Sequence, residues 1–193
     1  EDGIRDDVES RGLGDVYNRQ DLMAAAHADA VHGAEICRDL QDRLVMIARV
    51  SDAGAFVNTN ALTLKRSHGD YSVMQLLYDG SEIKAVLDFV NAGEVPIAWE
   101  LIRSYSYMDC TFNAARLAAY TNEYRRYAEV SMDDLRYMPY LYLGQLLSST
   151  YGYKQYLQTG DEELLAFGRW RTEMCRYLIA NAGEVSAELV RLA

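Results

Sequence analysis

His68-Gly69-Asp70-Tyr71-Ser72-Val73-Met74-Gln75-Leu76-Leu77-Tyr78-Asp79-Gly80-Ser81-Glu82-Ile83-Lys84-Ala85-Val86-Leu87-Asp88-Phe89 is the stretch whose reading decides this chain. Two apolar runs, Gln75-Leu76-Leu77-Tyr78 and Ile83-Lys84-Ala85-Val86-Leu87, flank Asp79-Gly80. An Asp-Gly pair between such runs is a strong hairpin signal, because both central residues of the favoured turn need positive φ. Asp70 then lies on the loop entering the hairpin, and Asp88, eighteen positions later, lies at its exit. Chain reversal brings the two ends of a hairpin together, so these two carboxylates are expected to be neighbours in space.

Two neighbouring carboxylates can share a magnesium ion and its phosphates. Phosphoryl transfer needs one residue to orient the attacking hydroxyl and accept its proton, and others to hold Mg²⁺ against the phosphates. Asp70 suits the first task and Asp88 the second.

The pattern resembles the kinase catalytic loop with its DFG-type segment. It is closer still to the small-molecule kinases of the aminoglycoside phosphotransferase, choline kinase and homoserine kinase group. Those proteins carry an HGDxxxxN loop, an apolar strand ending in Ile/Leu-Asp-Phe/Trp and, about a dozen residues later, an acidic residue before an apolar helix. The matching residues here are His68-Gly69-Asp70 through Gln75, Val86-Leu87-Asp88-Phe89 and Ala98-Trp99-Glu100-Leu101-Ile102, and the resemblance covers residues 62 to 108. It implies an α+β, mainly helical fold: a protein-kinase-like C-terminal lobe occupying residues 1–193, with a small β-hairpin carrying the catalytic loop. The implied activity is ATP- and Mg²⁺-dependent phosphorylation of a hydroxyl on a small molecule, whether aminoglycoside, choline-like amine, amino acid or sugar. By the same resemblance Asp70 is the catalytic base, Asp88 and Gln75 hold the metal and nucleotide, and His68 and Glu100 support the loop.

Three departures stand against the family pattern. Gln75 replaces the metal-holding asparagine with a stem one methylene longer, and Mg²⁺ tolerates little error in ligand geometry. Glu100 replaces the aspartate that braces the loop through its backbone, and Ser72 replaces a frequent histidine. Together they define an alternative, a catalytically lapsed kinase-like lobe acting as a binding module. A third reading, an unrelated helical protein with a chance tripeptide, places Asp70 and Asp88 far apart.

Kinase-like enzymes cover ATP with a glycine-rich hairpin and a strand lysine. Before His68, Gly12 and Gly14 have no alternating strands around them, and Lys65 is the first lysine of the chain. The expectation is that the N-terminal nucleotide-binding lobe of the same polypeptide is absent from this chain, and that the isolated chain binds ATP poorly.

Composition sets outer bounds. At 193 residues, half of them apolar, one domain can bury a full core. Cys37, Cys110 and Cys175 are odd in number and widely spaced, which suggests neither a disulfide framework nor a zinc site and favours a reducing interior. No apolar run spans a bilayer and Glu1-Asp2-Gly3-Ile4-Arg5-Asp6-Asp7 does not read as a signal peptide, so a soluble, cytoplasmic protein without membrane contact is expected. The net charge of −10 argues against a nucleic-acid partner; it leans weakly towards a cationic substrate, with ordinary solubilising charge at least as good a reading.

Helical spacing marks residues 19–50, with Gly33 able to split the run, while His27 and His32 are five apart and off a common face. Residues 51–61 read as a loop, Leu62-Thr63-Leu64 as a strand and Glu94-Val95-Pro96-Ile97 as a turn. Helices are predicted over 98–108, 112–128, from a capping Ser131 to about Leu157, over 162–182 with Phe167, Trp170, Met174 and Leu178 on one face, and over 186–192 after a stop at Gly183. The resemblance implies a substrate lying between the catalytic loop and these late helices, which makes Asp109, Asp133, Asp134, Tyr105 and Tyr107 candidates for selecting it, against the competing reading that tyrosines at helical spacing pack in the core or on helix surfaces.

Overall fold

The computed structural model describes residues 19–52, 59–108 and 112–193. It is mainly helical with two small antiparallel sheets, and its residues pack as two units: 19–52 with 143–180, and 59–142 with 181–193.

In the first unit, α1 (residues 19–28) and α2 (Gly33–Asp52) are separated by a turn at 29–32. Gly33 does divide them. A Cβ there would lie 1.9 Å from the Ala26 carbonyl oxygen, while Asp29 Oδ1 accepts from the Val31 and His32 amides at 2.9 and 2.7 Å and closes the turn ahead of α2. Leu22, Ala26, Ile36, Leu40, Tyr153, Tyr156 and Leu165 form the core of this unit.

The helix opened by Ser131 was expected to reach Leu157, but α5 (Met132–Ser148) ends earlier and α6 (Tyr153–Thr159) follows separately. The break is at Gly152, whose φ of +95 is open to glycine and whose added Cβ would meet the Gly168 backbone at 2.8 Å. Buried arginines serve the last carbonyls of α5 and the residue after it: Arg43 donates to Leu146 O at 3.4 Å and to Ser149 O at 2.6 Å, and Arg19 to the carbonyls of Leu147 and Ser148.

The final helix, α7 (Glu162–Arg191), runs straight through the stop expected at Gly183. Gly183 has no left-handed φ. Ala182, Val185 and Leu189 prolong the buried stripe at spacings of three and four, so burial outweighs one glycine. Met174 and Leu178 are buried as expected, whereas Phe167 and Trp170 stack on each other only partly covered.

In the second unit, β1 (Leu64–Ser67) begins two residues later than the predicted strand and pairs antiparallel with β4 (Gly93–Pro96). The predicted turn at 94–97 is therefore strand to Pro96, where no ladder donor is lost, and helix from Ile97. β2 (Leu76–Asp79) and β3 (Glu82–Val86) form the expected hairpin. Its turn falls on Gly80-Ser81, one residue later than predicted, with positive φ at Gly80 alone; glycine at the first central position is the type II′ pattern. A 3-10 turn, Thr59–Ala61, lies inside the expected loop. α3 (Ile97–Met108) and α4 (Ala114–Arg125) complete the helices. No described helix is long and apolar enough to cross a membrane.

Candidate active site

The loop carrying Asp70 is fixed from three directions, all within the second unit. From α3, buried Glu100 accepts hydrogen bonds through Oε2 from Ser67 Oγ at 2.6 Å and the Gly69 amide at 2.9 Å, and through Oε1 from the Tyr71 amide at 2.7 Å. The two amides on either side of Asp70 thus end on one carboxylate.

From the far end of the hairpin, the Leu87 carbonyl accepts from His68 Nε2 at 2.6 Å and the Leu87 amide donates to the Gln75 carbonyl at 2.8 Å. Both ends of the Asp70 loop are therefore tied to the residue before Asp88. The His68 ring also packs on Phe89, with centroids 4.6 Å apart. A carbonyl can only accept, so Nε2 carries the proton and the buried Nδ1 is left without a partner.

Gly69 makes the third contact. Its φ is +74, and a Cβ would stand 2.0 Å from the Asn91 carbonyl oxygen, so only glycine allows the loop this close to the segment after Asp88. Asp88 is itself left-handed, at φ 59 and ψ 62, and makes no side-chain cap bond to the 3-10 turn Phe89–Asn91 that it precedes. A non-glycine residue held in that region costs about 1–3 kcal/mol, and such conformations cluster at functional sites. Its exposed carboxylate is open to a ligand.

Arg103, one helical turn beyond Glu100, forms an ion pair with Asp70 Oδ1 and donates to the Tyr71 carbonyl at 3.2 Å. Asp70 keeps 24% of its side chain exposed. Sequence reasoning missed Arg103; a lone arginine in the apolar run Leu101-Ile102-Arg103-Ser104-Tyr105 was the available signal. Burial is the main reason that the phenols of Tyr71, Tyr120 and Tyr124 sit above the ordinary tyrosine value, so they stay neutral beside Glu100 and the loop.

Among the substrate candidates, Asp134 belongs to the scaffold. It is fully buried, and it accepts from the Thr63 amide at 2.9 Å and the Ser131 amide at 2.8 Å in a capping box. Buried Tyr105 donates to the Asn113 carbonyl at 3.0 Å, and Asp133 pairs with Arg136. Tyr107 stacks against Arg103, and Asp109 lies outside the described residues.

A cleft of about 530 Å³ opens beside His68 and Phe89, lined also by Arg66, Ser67, Ala92 and Gly93. Among the described residues no group of three or more His, Cys, Asp or Glu side chains could hold a metal ion. Mg²⁺ on phosphates is commonly bound through one or two carboxylates, with phosphate and water oxygens completing the shell. The exposed Asp88 carboxylate could serve in that mode, and the main chain of Gln75 is bonded to the residue before it.

The loop that carries Asp70 and the residue before Asp88 are thus joined in one hydrogen-bonded backbone frame. The sequence model of the phosphotransferase enzyme family, APH, matches residues 10–130, and the chain belongs to that family. Its members are kinase-type enzymes that in general use ATP and Mg²⁺. No curated protein matches the chain. No solved structure matches it.

Proposed function

We propose that this chain is the C-terminal catalytic lobe of an ATP-dependent small-molecule kinase, with Asp70 as the base that orients and deprotonates the acceptor hydroxyl. The observation that carries this reading is the double tie of the Asp70 loop to Leu87. It joins the two aspartates through one hydrogen-bonded frame, and geometry held in advance is most of what phosphoryl transfer asks of a protein.

Asp88 and Gln75 are the residues to hold Mg²⁺, which when bound neutralises phosphate charge. His68 and Glu100 are positioning residues, since their hydrogen bonds go to the loop and its frame. Exposed Met74, Leu77, Tyr78, Ile83, Phe89 and Val90 on and beside the hairpin support a covering lobe from the same polypeptide.

The reading is tested with the full-length gene product. ADP release with MgATP is measured across aminoglycosides, choline-like amines, hydroxy amino acids and sugars. Asp70→Asn is expected to lower kcat by at least about a thousandfold while the melting temperature is retained. Wild-type turnover in Asp70→Asn refutes Asp70 as the base. Gln75 favours the alternative of a lapsed binding module; a MgATP-induced thermal shift without turnover on any acceptor selects it.

A further inference from the structure

We propose that Arg103 is a positioning residue for Asp70, setting the carboxylate so that its open face meets the acceptor hydroxyl. The proposal rests on the reading of Asp70 as the base.

Helix α3 holds the Asp70 loop by two side chains one turn apart, and they act on different parts of it. Glu100 takes the amides of Gly69 and Tyr71, which fixes the main chain around Asp70 but leaves its side-chain torsions free. Arg103 supplies the missing constraint, pairing with Asp70 Oδ1 through one guanidinium nitrogen and with the Tyr71 carbonyl through the other. A planar fork bonded at two points cannot rotate about one bond without losing the other.

The fork is itself held. Trp99 and Tyr107 stand four residues before and after Arg103 on the same helical face, and their ring centroids lie 5.6 and 5.1 Å from the guanidinium carbon. Only 11% of the Arg103 side chain is exposed, against 24% for Asp70. The cation is therefore enclosed as a fixture, while the carboxylate it grips keeps a face for substrate. A displacement of about 1 Å at a reacting group can cost about a hundredfold in rate, and that is the size of effect expected when the grip is released.

The test uses the full-length gene product and an acceptor that the wild type phosphorylates. Arg103→Gln is expected to lower kcat about a hundredfold while KM for acceptor and for MgATP stays within about threefold. Arg103→Lys keeps the charge without the planar fork, and is expected to recover part of that loss. A merely structural arginine instead lowers the melting temperature and leaves kcat per folded molecule unchanged.

Should Arg103→Gln fail to fold, Arg103→Lys decides. A kcat reduced more than about threefold at constant KM supports the proposal, and a smaller change overturns it. Wild-type turnover that Asp70→Asn abolishes and Arg103→Gln leaves intact defeats this proposal alone. A wild type that transfers no phosphate to any acceptor defeats the reading of Asp70, and this proposal with it.

Discussion

Truncating Glu100 to alanine removes the acceptor on which the Asp70 loop is hung. The side chain is 5% exposed and receives three hydrogen bonds, from Ser67 Oγ and from the amides of Gly69 and Tyr71. The Ser67 hydroxyl can rotate towards another acceptor, but the two amides cannot turn without moving the loop. A buried donor left unmade costs about 1–3 kcal/mol, so two orphaned amides cost about 2–6 kcal/mol. Losing a carboxylate from the first turn of α3 adds about 0.3–1 kcal/mol through the helix dipole. Total stability is about 5–15 kcal/mol for a domain, so this one substitution should remove a large share of it. Glu100→Gln keeps one acceptor oxygen and turns an N–H towards the other amide, for a loss of about 1–3 kcal/mol. Urea unfolding followed by tryptophan fluorescence measures both, in a Trp170→Phe background that leaves Trp99, the neighbour of Glu100, as sole reporter. A Glu100→Ala protein within about 1 kcal/mol of its parent refutes the reasoning, because the amides would then have found other partners at no cost.

Glycine substitutions separate close approach from open space. Gly69→Ala drives a Cβ to 2.0 Å from the Asn91 oxygen and should lower the melting temperature sharply, whereas Gly80→Ala meets nothing within 4 Å and should cost only the left-handed φ, about 1 kcal/mol. Gly168→Ala should destabilise strongly, since its Cβ would sit 2.6 Å from the buried Tyr153 ring. Gly144→Ala, helical with open space around it, should stabilise by about 0.5–1 kcal/mol in the same thermal assay. The Glu35 carboxyl is held below its ordinary value of 4.5, chiefly by its hydrogen bonds from Arg169. A lowered folded value means a contribution that is complete above pH 4.5 and lost as pH falls towards the folded value. Glu35→Gln should therefore lower the unfolding free energy at pH 7 and flatten its decline below pH 4.5, and a parallel decline in both proteins contradicts this.

Local chemistry was legible where it was strong. The hairpin, the Gly33 division and the Ser131–Asp134 capping box each follow from residues within a few positions of one another. β1 and β4 were not legible as a pair, because each strand has four residues and its partner is about thirty positions away, as Leu64 opposite Pro96 illustrates. The break at Gly152 and the continuation past Gly183 were misread for one reason. A glycine stops a helix only if packing asks it to, and Gly152 meets the Gly168 backbone while a Cβ at Gly183 would find only the Tyr140 hydroxyl oxygen, at 3.7 Å. Arg103 stood out only as a lone arginine in an apolar run, which marks it as needing a partner without saying that the partner is Asp70, thirty-three positions away.

The departures from the family pattern carry unequal physical weight. In the sequence, Glu100 for aspartate looks like a loss, yet the glutamate reaches the hydroxyl of Ser67 and the amides of Gly69 and Tyr71 at 2.6–2.9 Å, so the longer stem leaves the loop fully braced. Ser72 is buried at the end of the same loop, where its carbonyl accepts from the Gln75 amide at 3.0 Å and starts the turn that leads into β2. Gln75 is different in kind, because its main chain is fixed against Leu87 and its extra methylene must be absorbed entirely by the side chain. On the proposed reading, that amide is the donor whose placement bears most directly on metal binding. The contacts around Asp70 do not involve that amide: Glu100 holds the backbone and Arg103 pairs with the carboxylate.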